Sequence, residues 1–288
     1  MGALGSDENL CKIDGTSVAD WRRASRPFGE NCGFTLSEGA QYIVLMDDLL
    51  AIELGADIHA AVPEVFISAD GVKKSISSPG VGNYISFSKA VAAAVDIVGI
   101  EAVQKRSFVH AHGSSTPANR VTESELISRV AEAFDITDWP VTAVKAYVGH
   151  TVAAASGDQL ISALGTFKYG LIPGIKTITQ LAEDVHQNRL NFLLKDSITA
   201  TKMDVAFINS KGFGGNNASA VVLSADKTNA MLMQRYGDRF TGYIDTREAT
   251  RTTAEDYAFQ ADRGNLAVIY RFGEQLIDEQ AVTITPTG

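Results

Sequence analysis

Between residues 84 and 223, short apolar runs alternate with longer stretches whose apolar side chains recur at helical spacing. The strand-like runs are residues 108–109, 140–144, 204–208 and 218–223. Helix-like stretches separate them: residues 84–98, residues 151–169, and a stretch that Thr122 and Glu125 introduce with a capping-box pattern. Regular alternation of this kind predicts a layered α/β domain.

Upstream of this alternation, residues 41–46 form a nearly continuous apolar run, which predicts a strand buried on both faces. Residues 47–54 have helical character, with Gly55 at the C-cap. Residues 58–67 predict a strand that Pro63 places at a sheet edge or a bulge. The Gly, Ser and Pro content of residues 68–83 predicts a loop and the best boundary between two subdomains.

The two ends of the chain lack this regularity. Residues 1–33 are polar and without a sustained period, which predicts an irregular surface segment. After residue 226 the sequence is polar and rich in Arg. There Thr252 and Glu255 predict a capped helix that runs toward Gly264, and residues 266–270 predict one more strand.

Composition limits the classes of function. The 288 residues carry a formal net charge of -9, so nucleic acid is not an expected partner. Only two cysteines are present, and no apolar run is long enough to span a membrane. Without a signal-peptide pattern at the start, we expect a cytoplasmic protein.

Two apolar runs end abruptly in a histidine beside a glycine. The first ends at His112-Gly113, and the second runs through Lys145 to Gly149-His150. Both ends, like the glycine turn at residues 212–215, lie at or just beyond a predicted strand end, where α/β proteins gather their ligands. The shared placement predicts one site.

The chemistry of these residue types favours proton transfer or oxyanion binding. Two neutral imidazoles can donate hydrogen bonds to an oxyanion, and the N–H groups of the glycine turn can do the same. Lys145 should be partly desolvated and should have an acidic partner such as Glu123. A structural role is the alternative for any single one of these residues, and it is our interpretation of His59, His110 and His186.

At these residues the chain resembles the beta-ketoacyl-acyl-carrier-protein synthases, the condensing enzymes of the thiolase-like fold. Five motifs carry the resemblance in order: residues 24–28, residues 33–40, residues 111–117, Lys145 with Gly149-His150, and residues 209–215. The resemblance implies a layered αβαβα fold, with its second half essentially complete and its first half truncated. Residues 1–70 would be the closing elements of the N-terminal half, residues 71–226 the C-terminal half, and residues 227–288 a C-terminal extension.

The resemblance also implies the catalytic roles. His112 and His150 would assist decarboxylation of a malonyl thioester and stabilise the resulting enolate and thioester oxyanion. Lys145 would be the supporting lysine and Glu123 its acidic neighbour. Phe213 would be the gating phenylalanine whose N–H contributes to the oxyanion hole.

For substrate binding, the resemblance implies that Ser114 and Thr116 contact the phosphopantetheine arm of an acyl carrier protein, and that Gly214 lies at the same site. It implies no covalently bound cofactor and no metal. The expected partners are the acyl carrier protein with its acyl and malonyl thioesters, and a second copy of the chain or the missing half of the fold.

Several positions depart from the family pattern. Arg120 replaces an aspartate near the lysine, while Lys211 and Asn216 replace a phenylalanine and a threonine of the glycine turn. Neither Cys11 nor Cys32 matches the motif of the nucleophilic cysteine, which belongs to the first half of the fold.

We therefore expect a beta-ketoacyl synthase for fatty-acid or polyketide synthesis, present as a fragment without its nucleophile. Two alternatives stay open: a non-catalytic ketosynthase-like partner subunit, and a residual malonyl-carrier decarboxylase.

Overall fold

The computed structural model of the chain describes residues 6–30, 33–72, 80–199, 202–266, 273 and 278–285. Its α-helices are α1 (Asp7–Asp14), α2 (Asp48–Glu53), α3 (Gly82–Val98), α4 (Ile100–Lys105), α5 (Pro117–Ala133), α6 (Lys145–Val148), α7 (Ala155–Tyr169), α8 (Ala225–Tyr236) and α9 (Asp238–Asp262). Its strands are β1 (Ala60–Ala69), β2 (Ser107–His110), β3 (Trp139–Thr142), β4 (Leu171–Ile172), β5 (Leu190–Phe192), β6 (Ser197–Ile198), β7 (Val205–Gly212) and β8 (Asn216–Ser224).

Six strands form the main sheet, in the order β1-β8-β7-β2-β3-β5. Strands β7, β2, β3 and β5 are parallel, whereas β8 and β1 run antiparallel at one edge. Successive side chains along a strand point to opposite faces of the sheet, so each strand contributes side chains to two hydrophobic cores. Val109 and Phe207 pack with α3 and α5 on one face, and Phe108 and Ala206 pack with α7 on the other. The predicted layered α/β fold is confirmed.

The predicted strands between residues 108 and 223 are confirmed as β2, β3, β7 and β8, but the predicted cap of the helix between them is wrong. Helix α5 begins at Pro117, so Thr122 lies inside it and its hydroxyl donates back to the carbonyl of Ala118 at 2.9 Å. Proline at the first helical position fits because that position needs no N–H donor. Thr252 likewise lies inside α9.

The strand predicted at residues 58–67 is confirmed as the edge strand β1, and its register against β8 shifts between Ala61 and Glu64. Pro63 lies in that shift because it has no N–H to donate to the ladder. The strand predicted at residues 41–46 is wrong. This segment has no regular structure, and Tyr42, Val44 and Leu45 are largely exposed.

The start of the chain is more ordered than its composition predicts. Helix α1 has Ser6 as its N-cap, whose side chain accepts a hydrogen bond from Asn9 N at 3.2 Å. Leu10 is fully buried, and residues 24–28 are buried beneath the loop that follows β2. The expectation of an irregular surface segment is therefore wrong for the described part.

The C-terminal helices α8 and α9 pack against α2. Ile52 joins Leu232, Phe240 and Tyr243 in a small separate core, and the Tyr243 hydroxyl donates to the carbonyl of Ala56 at 2.7 Å. Most of the strand predicted at residues 266–270 lies outside the described residues, and the division at residues 70 and 226 stays a prediction. No helix in the described part is long and apolar enough to cross a membrane.

Candidate active site

The two histidines meet at one edge of the sheet. His112 lies two residues after β2, and His150 lies two residues after α6, the short helix that follows β3. Because β2 and β3 are parallel neighbours, their ends lie at the same edge of the sheet. The two imidazole rings are 5.3 Å apart between centroids and nearly perpendicular.

The His112 ring is fixed by the glycine turn. Its Nδ1 accepts a hydrogen bond from the backbone N–H of Lys211 at 3.2 Å. A nitrogen that accepts carries no proton, so the neutral ring carries its proton on Nε2. Burial, and then the charge of Lys145, hold the pKa of His112 well below its ordinary value. The ring is therefore a neutral Nε2–H donor at neutral pH.

His150 has the same arrangement. Its Nδ1 accepts from the backbone N–H of Val152 at 3.1 Å, so its proton also lies on Nε2. Val152 has a φ of 55°, which is strained for a β-branched residue and turns its N–H toward the ring. Burial, and then Lys145, lower the pKa of His150 to about 4. The site thus holds two neutral Nε2–H donors.

The coil at residues 33–37 supports His150. The backbone N–H of His150 donates to Thr35 O at 2.7 Å, and its carbonyl accepts from Ser37 N at 3.1 Å. Gly149 has a φ of 70°, and a side chain there would lie 3.0 Å from the Thr35 carbonyl oxygen. Only glycine lets this coil approach so closely.

Lys145 and Glu123 do not form the direct ion pair that the sequence suggests. The Lys145 ammonium donates to the carbonyl of His112 at 2.6 Å. The Glu123 carboxylate accepts instead from the backbone N–H groups of His112 and Gly113, at 2.6 and 2.9 Å. Lys145 therefore binds the backbone carbonyl of His112, and Glu123 binds its backbone N–H. Burial lowers the pKa of Lys145 to about 8, against the opposing effect of Glu123.

The loop after β2 places two hydroxyl groups together. Ser114 Oγ lies 3.1 Å from Thr116 Oγ1. Between them, Ser115 has a φ of 60°, and its hydroxyl accepts from the backbone N–H of Arg26 at 2.7 Å. Residues 24–28, which carry part of the family resemblance, thus brace this loop from below.

An aromatic row leads outward from the histidine pair. The Phe34 ring lies 5.5 Å from the His150 ring and 6.3 Å from the Phe213 ring. Phe213 is 77% exposed at the tip of the turn between β7 and β8, beside Gly214 with its φ of 85°. An exposed aromatic residue on a glycine turn can move without disturbing the core, as a gate requires.

Three of the residues that depart from the family pattern form distinct contacts. Arg120 forms a bidentate ion pair with Asp184 at 2.7 and 3.1 Å and donates to Gly29 O. Lys211 donates through Nζ to the hydroxyl of Thr122 at 3.1 Å. Asn216 donates to the carbonyl of Phe213 at 3.2 Å and closes the glycine turn.

Sequence reasoning missed two amides that hold the strand ends together. The Gln159 side chain donates to the carbonyls of His110, Ala111 and Asn209, at 2.9 to 3.1 Å. Asn209 donates to Glu123 at 2.7 Å. A buried amide inside an apolar pattern is the only available signal, since both side chains are almost fully buried.

Of the two cysteines, the structure describes Cys11. Cys11 lies half-buried in α1, and Cys32 lies outside the described residues. Among the described residues, no three His, Cys, Asp or Glu side chains are arranged to hold a metal ion.

Comparisons with known proteins show the family of the chain. Residues 59–179 match the family model described as beta-ketoacyl synthase, C-terminal domain. The chain is 62% identical over 286 residues to the beta-ketoacyl-[acyl-carrier-protein] synthase FabY of Pseudomonas aeruginosa, covering 99% of this chain and 45% of that protein. This chain belongs to the beta-ketoacyl synthase family.

A more distant relative and a solved structure support the same family. The chain is 29% identical over 209 residues to 3-oxoacyl-[acyl-carrier-protein] synthase 2 of Synechocystis, covering 68% of this chain and 45% of that protein. The crystal structure of the noncanonical ketosynthase FabY from P. aeruginosa superposes with a TM-score of 0.92, over 99% of this chain and 45% of that chain. The chain thus spans about half the length of the ketosynthases that it matches.

Proposed function

We propose that this chain carries the decarboxylation and oxyanion portion of a beta-ketoacyl-acyl-carrier-protein synthase site. The observation that carries the proposal is the pair of Nε2–H donors. His112 and His150 each have Nδ1 occupied by a backbone N–H, and their rings lie 5.3 Å apart. Two fixed donors on neighbouring rings, one buried and one half-buried, suit an oxygen atom on which negative charge develops.

The reaction step follows from this geometry. When a malonyl thioester loses carbon dioxide, the electron pair of the broken carbon–carbon bond forms an enolate, and its charge lies on the thioester oxygen. His112 and His150 would donate to that oxygen without giving up a proton, since burial keeps both rings neutral. The enolate carbon then attacks an acyl thioester, and the acyl group's thiol leaves. The described residues place no thiol at the histidine pair.

The substrate carrier is part of the proposal. The paired hydroxyls of Ser114 and Thr116 would contact the amides of a phosphopantetheine arm, and Phe213 with Gly214 would form the movable edge of its channel. The name of the 62% identical relative supports acyl carrier protein as the partner. The exposed apolar segment at residues 41–46 supports association with a second polypeptide, either another copy or the rest of a ketosynthase fold.

Release of carbon dioxide from malonyl-acyl-carrier protein tests the proposal. We expect the chain to release it above the buffer rate, and His112→Ala or His150→Ala to lower that rate by about 10²- to 10³-fold, as expected for loss of one oxyanion donor. His186→Ala is the matched control, because His186 lies in another loop and should leave the rate unchanged. No release by the chain, or equal rates in all variants, would contradict the proposal.

A complete condensation is the second outcome to test. We expect 3-oxoacyl product only when a cysteine-bearing ketosynthase portion is added to the chain. Product from the chain alone would contradict the prediction that neither Cys11 nor Cys32 is the nucleophilic cysteine. Stable association without either reaction would instead favour the non-catalytic partner subunit.

A further inference from the structure

The Glu123 carboxylate lies in a cage of four N–H donors. Oε1 accepts from the backbone of His112 at 2.6 Å and from Asn209 Nδ2 at 2.7 Å, while Oε2 accepts from Gly113 at 2.9 Å and Asn119 Nδ2 at 2.8 Å. Its residue is fully buried. A buried charge without a direct ion-pair partner depends on such hydrogen bonds, and each oxygen here has one backbone donor and one amide donor.

The two amide donors have different origins. Asn119 lies one turn before Glu123 on the same helix, so any formation of α5 brings the two together. Asn209 comes from β7 across the sheet. Its Oδ1 accepts from Asn83 at 2.7 Å and from Ser219 at 3.2 Å, which directs its Nδ2 toward Glu123. A flipped amide would put an oxygen against the carboxylate.

The same short stretch of β7 also holds the His112 ring. Asn209 holds the backbone of His112 through Glu123, and two residues later Lys211 N–H holds its Nδ1. We propose that Asn209 is a positioning residue that fixes the distance between β7 and the His112 peptide, and so keeps the His112 ring aligned with that of His150. The positioning of His112 by Asn209 does not depend on the proposed function; only its effect on the reaction rests on that function.

Nuclear magnetic resonance of the labelled full chain tests the proposal without any activity. We expect Asn209→Ala to shift the His112 Nδ1 resonance and to speed exchange of the His112 amide proton by about tenfold, as one lost charge-assisted hydrogen bond implies. Asn119→Ala is the matched control. It removes an equal donor from the other carboxylate oxygen and should leave the His112 Nδ1 resonance in place.

Asn209→Asp supplies an independent, pH-dependent readout. Two carboxyl groups in contact resist ionising together, so at acid pH they share a proton that restores the hydrogen bond to Glu123, and the second ionisation at higher pH breaks that bond. We expect the parent His112 Nδ1 resonance at acid pH and its loss as the pH rises. Asn119→Asp is the control, because it places the same carboxyl group against the other oxygen of Glu123, away from β7, and it should leave the His112 Nδ1 resonance in place over the same pH range.

An unshifted His112 resonance in Asn209→Ala, or an equal shift in Asn119→Ala, would overturn the proposal. If Asn209→Ala does not fold, the acid and alkaline spectra of Asn209→Asp decide the question within one sample. A chain that releases no carbon dioxide contradicts the proposed function, whereas the spectra judge Asn209 separately. If the chain is active, we expect Asn209→Ala to lower the rate of release with little change in KM.

Discussion

Strand β3 (Trp139–Thr142) and the segment at residues 41–46 have the same sequence signature and opposite structures. Both are short apolar runs of strand length. In β3, Trp139 and Val141 are buried between β2 and β5, whereas in the segment Val44 is 80% exposed and no strand forms. An apolar run shows that a partner is needed, but it does not show where the partner lies.

The two regions differ in what lies beside them. Strand β3 has a parallel neighbour on each side, which pairs its backbone, and its Trp139 and Val141 side chains pack in the main hydrophobic core. The segment is anchored at one end, where Gln41 donates to the carboxylate of Asp158. Its exposed side chains agree with the finding that the chain covers 45% of the FabY chain it superposes on.

Matched charge substitutions should separate the two regions most strongly. Val141→Asp puts a carboxylate into the core of the sheet and should lower the free energy of unfolding by about 4 kcal/mol or more. Val44→Asp should change it by less than about 0.5 kcal/mol and lessen self-association. Denaturant unfolding of both variants measures the difference. A similar loss for both would mean that the segment is packed in solution.

The loss of stability at acid pH should test whether water is excluded from the core around β2. His110 is fully buried in β2, and neither ring nitrogen has a hydrogen-bond partner among the residues that the structure describes. Burial, and then Lys145, lower its pKa to about 3. The unfolded chain therefore takes up the proton first. His110 should cost no stability above pH 6.5, and the stability should fall between pH 6.5 and 3 by at most about 1.4 kcal/mol per pH unit.

His110→Leu removes the imidazole that takes up this proton on unfolding. The unfolding free energy of the variant should therefore fall less steeply with decreasing pH than that of the parent chain. Urea unfolding at pH 7, 6 and 5 gives both slopes. Equal slopes would show that water reaches the His110 ring.

Gly149→Ala should show how the coil at residues 33–37 supports the site. The left-handed φ and the 3.0 Å approach of Thr35 O make any side chain there strained, at a cost of roughly 1–3 kcal/mol. We expect lower thermal stability and a changed His150 resonance. Gly165→Ala is the control, since a side chain at that helical position meets nothing within 4 Å. An unchanged His150 spectrum would mean that the coil does not position the ring.

Some parts of the fold could be predicted from the sequence, and others could not. Strands β2, β3, β7 and β8 were predicted because their partners lie within the chain and their apolar runs are short. Helix α1 was missed because its stability comes from the Ser6 cap and a single buried leucine, Leu10. Local periodicity registers neither feature.

The site was only partly predictable, for a related reason. Histidines beside glycines at strand ends predicted that His112 and His150 would meet. The link from Lys145 to Glu123 through the backbone of His112 was not predictable, because main-chain groups leave no mark in sequence. Their roles in the reaction stay predictions.

The smallest effect is expected where α9 meets α2. Arg251 pairs with Asp57 at 2.6 Å, and both side chains are more than a third exposed. Arg251→Ala should therefore lower the free energy of unfolding by less than about 1 kcal/mol, and less still in high salt. Thermal unfolding at two salt concentrations measures it. A larger, salt-independent loss would mean that the extension is part of the main core.

The protonation of the His112 and His150 rings tests the central claim most directly. In a histidine side-chain nitrogen spectrum recorded from pH 5.5 to 8, we predict that His112 and His150 both stay neutral, with the proton on Nε2 throughout. Variants at each position assign the signals. A proton on Nδ1 of either ring, or titration of either ring near pH 6.5, would contradict the two-donor site.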